Sequence, residues 1–223
     1  MNKEIDMADN TQIIDLSSQR REKHWDNIFK TVDYTQVLWH QETPHHSLAL
    51  IEKYTRQSDA IIDAGCGASF LLDALLEKGY EDITLLDVSK ICLDIVQKRV
   101  VAQSRQVKYI CSDILNFTSD HLFALWHDRA VFHFLLQKKQ REQYFQIVKN
   151  SLAENGFAVI STFAMDGDIK CAGLDVIPYD EETMKRELPE GLKIIETFAF
   201  IHTTPKKSEQ KYISFVIEKE STQ

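Results

Sequence analysis

The stretch DAGCGASF, residues 63–70, sets two glycines one residue apart directly behind an aspartate, at the end of a short apolar run, DAIIDAG (59–65). Apolar residues ending in glycine and followed by SFLLDALLEKGY (69–80) predict a buried strand, a tight turn and then a helix. Leu71, Ala74, Leu75 and Lys78 have helical spacing, and Gly79 is placed to cap the helix at its C-terminus. Gly65 and Gly67, lacking Cβ, permit unusual dihedrals and let a ligand lie against the main chain, while the helix start offers unpaired N–H groups to an anion. A dinucleotide-binding turn requires a third glycine at position 70. Phe70 stands there instead.

The same alternation runs on through the chain. DITLLD (82–87) predicts a strand, Ser89 caps a helix over KICLDIVQKRVVA (90–102), and VKYICSD (107–113) and LFALWHD (122–128) are further strands. In REQYFQIVKNSLAENG (141–156), Tyr144, Ile147, Val148 and Leu152 form an apolar stripe that Gly156 is expected to end, before the strand FAVISTF (157–163). Helices between strands impose parallel pairing. GLKIIETFAFIH (191–202) and KYISFVIEK (211–219) are joined by TTPKKSEQ, too short for a crossover helix, so they should pair antiparallel. Residues 20–54, with Trp25 and Trp39 and a break at Pro44, are expected to form an N-terminal helical attachment.

Composition narrows the function. With 223 residues and 43% hydrophobic content, the chain can bury one core, and the expected organisation is a flexible segment over residues 1–20 followed by a single domain over 21–223. No apolar run suits a membrane span or signal peptide, which points to a cytoplasmic protein with no membrane partner. A net charge of −8 opposes a nonspecific hold on nucleic acid; QKKQREQ (137–143), the densest basic stretch, reads as a solvated helix face. Cys66, Cys92, Cys111 and Cys171 are scattered without metal-ligand spacing, so no metal site is expected. His45 and His46 are adjacent on a helix start and cannot readily face one metal; they are read as surface or supporting groups.

Three acids end three successive strands: Asp63, Asp87 and Asp113. Ligands of open parallel sheets collect at that edge. Asp87 lies 20 residues beyond Gly67, where a carboxylate can accept two hydrogen bonds from a ribose diol; the competing reading is a capping acid. Asp113 can accept from an adenine amino group or cap a turn. Three carboxylates repel a polyphosphate but suit an adenosine that carries positive charge.

From about Trp25 onward the chain resembles the class I S-adenosylmethionine-dependent methyltransferases, on DAGCGAS (63–69), LLDVS (85–89), CSDILNF (111–117), LWHDRAVFHFL (125–135) and the reversed strand pair. VLWHQETPHHSLALI (37–51), CAGLDVIPY (171–179) and HTTPKKSEQKY (202–212) resemble a group of small bacterial members. The resemblance implies an α/β, Rossmann-like three-layer sandwich whose seven-stranded, mostly parallel sheet has an antiparallel C-terminal strand. It implies S-adenosyl-L-methionine as cofactor, with Asp63, Gly65 and Gly67 at the methionine end, Asp87 with Val88 at the ribose, Asp113 with Ile114 at the adenine, and His127 and Asp128 facing the methionine portion and the transferring methyl. Cys66 departs mildly from the small residue commoner there.

Displacement at a sulfonium needs alignment more than a strong base. His133 is either a proton acceptor or a structural histidine in VFHFLL (131–136), and Trp39 either closes over the cofactor or anchors the N-terminal helix. The segment AMDGDIKCAGLDVIPYD (164–180) is long for a connection and reads as a substrate wall, where Asp166, Asp168, Asp175 and Tyr179 can meet a basic acceptor; otherwise it is a solvated acidic loop. His202 and Gln210 stand out in the last hairpin, His202 as a substrate-binding candidate. The acceptor is a small molecule or a protein side chain. Two other functions compete: a noncatalytic S-adenosylmethionine-binding module, and a nicotinamide-dependent oxidoreductase, which Phe70 disfavours.

Overall fold

The structure, a computed structural model, describes residues 18–100 and 107–221. Two helices lead in: α1, Ser18–Thr31, and α2, His45–Tyr54. The alternating region then gives β1 Ile61–Ala64, α3 Leu71–Glu77, β2 Ile83–Asp87, α4 Lys90–Arg99, β3 Val107–Cys111, β4 Phe123–Arg129, α5 Lys138–Ser151 and β5 Leu152–Phe163. A small hairpin, β6 Lys170–Cys171 with β7 Leu174–Asp175, and the short α6, Glu181–Lys185, precede β8 Leu192–Thr203 and β9 Glu209–Lys219. Residues 1–17, most of the expected flexible segment, lie outside the described residues, as does the expected end of α4 at 101–102; Ser18 to Arg20 are already helical.

Seven strands pair in the order β3-β2-β1-β4-β5-β9-β8. β1 is parallel to both β2 and β4, and β9 is antiparallel to both β5 and β8. The sheet is therefore six parallel strands with β9 reversed, inserted one place in from the edge. That position follows from the short polar link, residues 204–208, which lets β9 turn back only beside β8 while its apolar FVI faces both layers.

Strand alternation splits the core in two. Ile61 and Leu85 pack on one side of the sheet with Ile51, Leu72, Leu93 and Val216, whereas Ile62 and Leu86 pack on the other with Trp126, Tyr144 and Phe215. β1 and β2 are buried along their whole length, as apolar strands covered by helices on both faces must be. Consequently the carboxyl ends of β1, β2, β3 and β4 all reach the same edge.

Gly79 does end α3: it holds φ +83, its N–H donates to Leu76 O, and Tyr80 N–H donates to Leu75 O. Two other helix ends differ from expectation. Gly156 does not terminate α5, because Leu152 is already extended and buried and pairs with Phe123. The strand irregularity that follows carries Asn155 at φ +59, and Gly156 sits where a Cβ would lie 2.9 Å from Ala153 O and 3.1 Å from Phe123 O. Ser89 occupies the N-cap position of α4, but its hydroxyl donates to Asp26 of α1 at 2.7 Å rather than capping. The side chain thus ties α1 to the sheet edge.

Candidate active site

The turn after β1 leans on β2. Gly65 N and Cys66 N both donate to Leu86 O, and Gly67, at φ +55, directs its N–H to Asp87 Oδ2 at 2.9 Å. Asp87 Oδ1 accepts from Ser89 N at 2.8 Å. Each carboxylate oxygen therefore carries one backbone N–H and keeps a further lone pair for a ligand. Asp87 is buried, and the loss of water raises its pKa against the pull of those two N–H groups. Among the described residues no basic side chain pairs with it, unlike Asp113, which meets Arg21.

Asp63 faces His127, whose Nδ1 lies 2.7 Å from Asp63 Oδ1 and whose Nε2 lies 2.9 Å from Ser47 Oγ on α2. A carboxylate only accepts, so Nδ1 carries the proton, and in the neutral ring Nε2 accepts from Ser47. Asp113 Oδ1 accepts from Leu115 N, and its Oδ2 accepts from Arg21 of α1, with Nε at 3.0 Å. The expected adenine-facing acid is thus engaged by the helix that roofs the cleft.

One cleft at this edge is lined by Trp39, Asp63, Gly65, Gly67, Asp87, Val88, Asp113, Ile114 and His127, all nine residues expected to hold the cofactor. Its other wall is aromatic: Trp25 meets Trp39 edge-on at 5.9 Å and Phe134 at 5.4 Å between ring centroids. Phe70, in place of a third glycine, stacks on the Arg99 guanidinium, whose Nη groups donate to the carbonyls of Ala68 and Ser69. The Cys66 thiol is buried and pushed up to about 11, so it is unreactive.

A family described as "Methyltransferase domain" matches residues 61–156, the segment from β1 into β5. Over that stretch, which holds the glycine turn and the ends of β1 to β4, the chain is similar to methyltransferases. The chain is 23% identical over 134 residues to the eEF1A lysine and N-terminal methyltransferase of Bos taurus, covering 60% of this chain but 19% of that protein; it thus spans about a fifth of the length of the curated relatives it matches. Among solved structures it resembles an S-adenosylmethionine-dependent methyltransferase of Anabaena variabilis (TM-score 0.72, 16% identity, 92% of this chain and 96% of that one). It also resembles the N-methyltransferase NodS of Bradyrhizobium japonicum in complex with S-adenosyl-L-homocysteine (TM-score 0.67, 17% identity, 90% and 99%).

Four residues expected near the chemistry stand off the cleft. His133 is fully buried against Phe134 and Phe163, and burial pushes its pKa down to about 3, which removes the basicity a proton acceptor needs. Asp128 is fully buried too, accepting from Val131 N, Phe132 N and the Tyr144 hydroxyl; burial outweighs these donors and raises its carboxyl to about 6. It shapes the turn after β4. Tyr179 packs against Phe132, with its N–H bonded to Phe163 O. His202 Nε2 lies 2.8 Å from Leu38 O and so joins β8 to the 34–44 strap.

The acids of the 164–180 segment also have partners within the chain: Asp166 with Lys211 at 2.6 Å, Asp168 with Gln210 at 2.8 Å, and Asp175 with Lys170 at 3.2 Å. They fasten the segment to β9 and to itself. His46 bonds Ser214 at 2.9 Å and stacks on Phe200. Cleft residues that sequence reasoning missed include Arg21, Tyr34, Ser47, Arg129 and Cys171. Only Arg129, an arginine at the ligand end of a parallel strand, carried a readable signal.

Among the described residues no helix is long and apolar enough to cross a membrane, and no group of three metal-ligating side chains occurs.

Proposed function

We propose that this protein is an S-adenosylmethionine-dependent methyltransferase whose cleft binds the cofactor along the carboxyl ends of β1 to β3 and passes its methyl group to a small molecule. The observation that carries this reading is the convergence of Asp63, Asp87 and Asp113 with the Gly65–Gly67 turn on one cleft. When bound, the cofactor supplies a methyl group on a sulfonium, which an acceptor's electron pair displaces to leave a neutral sulfide. The Asp87 oxygens, each with a spare lone pair, hold the ribose hydroxyls. Asp63, fixed by His127 and Ser47, presents negative charge to the methionine end, and Trp25, Trp39 and Phe134 exclude water there and tolerate a cation at their faces. His133 lies outside the cleft and does not take the acceptor's proton.

Calorimetry with S-adenosylhomocysteine and with NAD tests the cofactor, and labelled-methyl incorporation from a metabolite pool and a lysate tests turnover. Binding of NAD without S-adenosylhomocysteine overturns the reading, and label found only in protein moves the acceptor from small molecules to a protein side chain. Asp87→Ala should weaken S-adenosylhomocysteine by about 1 to 3 kcal/mol, the worth of hydrogen bonds to a charged acceptor. Unchanged affinity would remove Asp87 from the site.

A further inference from the structure

Arg129 is the last residue of β4 and lines the cleft. Its Nη2 donates to the Trp39 carbonyl at 2.7 Å, whereas Nη1 is buried and has no hydrogen-bond partner among the described residues. No carboxylate among those residues pairs with it. Of the acids around it, Asp128 accepts from Val131 N, Phe132 N and Tyr144, Asp63 is taken by His127, and Asp168, whose charge reaches the same Cys171 and Tyr212, accepts from Gln210; Asp87 and Asp113 lie on the far side of β1.

The charge of Arg129 is felt at Tyr34, His40, Cys171, His202 and Tyr212, and none of these supplies an anion at neutral pH. Burial pushes the Cys171 thiol up to about 12 and raises both phenols. The Tyr212 hydroxyl and His40 Nδ1 are, like Nη1, buried without partners. A lysine so placed can relieve itself by losing its proton, but a guanidinium stays charged. With no carboxylate among the described residues on Nη1, the open donor of this half-buried cation suits an oxyanion brought from outside, and the planar fork suits a carboxylate best.

Position separates this group from the cofactor's end of the cleft. In register, His127 lies beside Asp63 and Asp128 beside Ala64, the last residue of β1, while Arg129 extends past that point and pairs with Ser161 of β5. Trp39, Phe134 and Cys171 line the same cleft and share one apolar cluster.

We propose that Arg129 is the specificity anchor for the methyl acceptor and that the acceptor is a small carboxylate with an apolar or aromatic body, held by Nη1 against the Trp39 and Phe134 rings. This rests on the methyltransferase reading above.

Protein saturated with S-adenosylhomocysteine is titrated by calorimetry with three probes of one shape: phenylacetate, phenylacetamide and phenethylamine. Phenylacetate should bind at least tenfold more tightly than the amide, and the amine least. Arg129→Gln should erase that preference while changing the affinity for S-adenosylhomocysteine less than threefold, and Arg129→Lys should keep part of it, with thermal melts confirming that both variants fold. Equal binding of acid and amide, binding of none of the probes, or a tenfold loss of S-adenosylhomocysteine in Arg129→Gln, which would hand the arginine to the cofactor's own carboxylate, overturns the proposal. If wild-type protein fails to bind S-adenosylhomocysteine, the cofactor reading fails by itself, and the same probes added to cofactor-free protein decide the anion site separately.

Discussion

Gly65→Ala is expected to destabilise the protein by about 3 kcal/mol and to abolish measurable binding of S-adenosylhomocysteine, a larger effect than any loss of a single acid. Two costs combine. Gly65 holds φ +71, a left-handed conformation that costs a residue with a Cβ about 1 to 2 kcal/mol. That Cβ would also lie 1.9 Å from Val131 Cγ2, and relieving the contact requires the stiff, β-branched Val131 to leave the χ1 rotamer it holds. Val131 cannot retreat, because its N–H is held by Asp128 Oδ1 at 2.8 Å, and overpacking of this kind costs about 1 to 3 kcal/mol.

Gly67→Ala serves as the internal control. At φ +55 it bears the conformational cost, but its nearest neighbour would be Phe29 Cζ at 3.5 Å, an ordinary contact, so a loss of about 1 kcal/mol is expected. Val131→Ala should recover part of the stability lost in Gly65→Ala and none of that lost in Gly67→Ala. The recovery is partial because Val131 Cβ itself would stand 3.3 Å away. Urea unfolding of the three single and two double variants gives the coupling directly. Equal costs for the two glycines would mean that Val131 does not set the turn.

That turn shows what a one-dimensional reading carries and what it omits. The spacing of Asp63, Gly65, Gly67, Asp87 and Asp113 is local to strand ends, and strand ends of a parallel sheet share one edge, so the sequence alone places these residues together. The reason for Gly65 was not legible, because Val131 is 66 residues away and reaches the turn only through the pairing of β1 with β4. Ser47 and Arg21 were hidden for the same reason: they come from α2 and α1, whose docking depends on tertiary contacts such as Ser89 with Asp26. Ser89 misled in a complementary way. Its type and position predicted a cap, and the hydroxyl was taken by a partner 63 residues off. The acids of 164–180 suggested a binding surface because sequence shows charge but not the lysine and glutamine of β9 that meet it.

His133 yields the other large effect, and it is a matter of stability rather than catalysis. Its ring is fully buried, neither nitrogen has a hydrogen-bond partner among the described residues, and its pKa falls to about 3 against about 6.5 in an unfolded chain. Below pH 6.5 the unfolded chain therefore takes up a proton that the native protein refuses. Stability is lost as pH falls from about 6.5 to about 3, by as much as roughly 5 kcal/mol at 1.36 kcal/mol per unit. Asp128 works in the opposite sense: raised to about 6, it binds its proton more tightly when folded, so its contribution is present in acid and disappears as pH rises through 6. In the wild type the two partly cancel between pH 4 and 6. His133→Leu removes one side of that balance and two unpartnered polar atoms as well. The variant should match or slightly exceed wild-type stability at pH 7, and its advantage should widen steadily below pH 6.5 in urea unfolding. Methyl transfer at pH 8 should be retained, since the ring lies outside the cleft. A tenfold loss of rate without loss of stability would return His133 to the chemistry, whereas an advantage that stays constant from pH 7 to pH 4 would mean that the buried ring does accept its proton in the folded state.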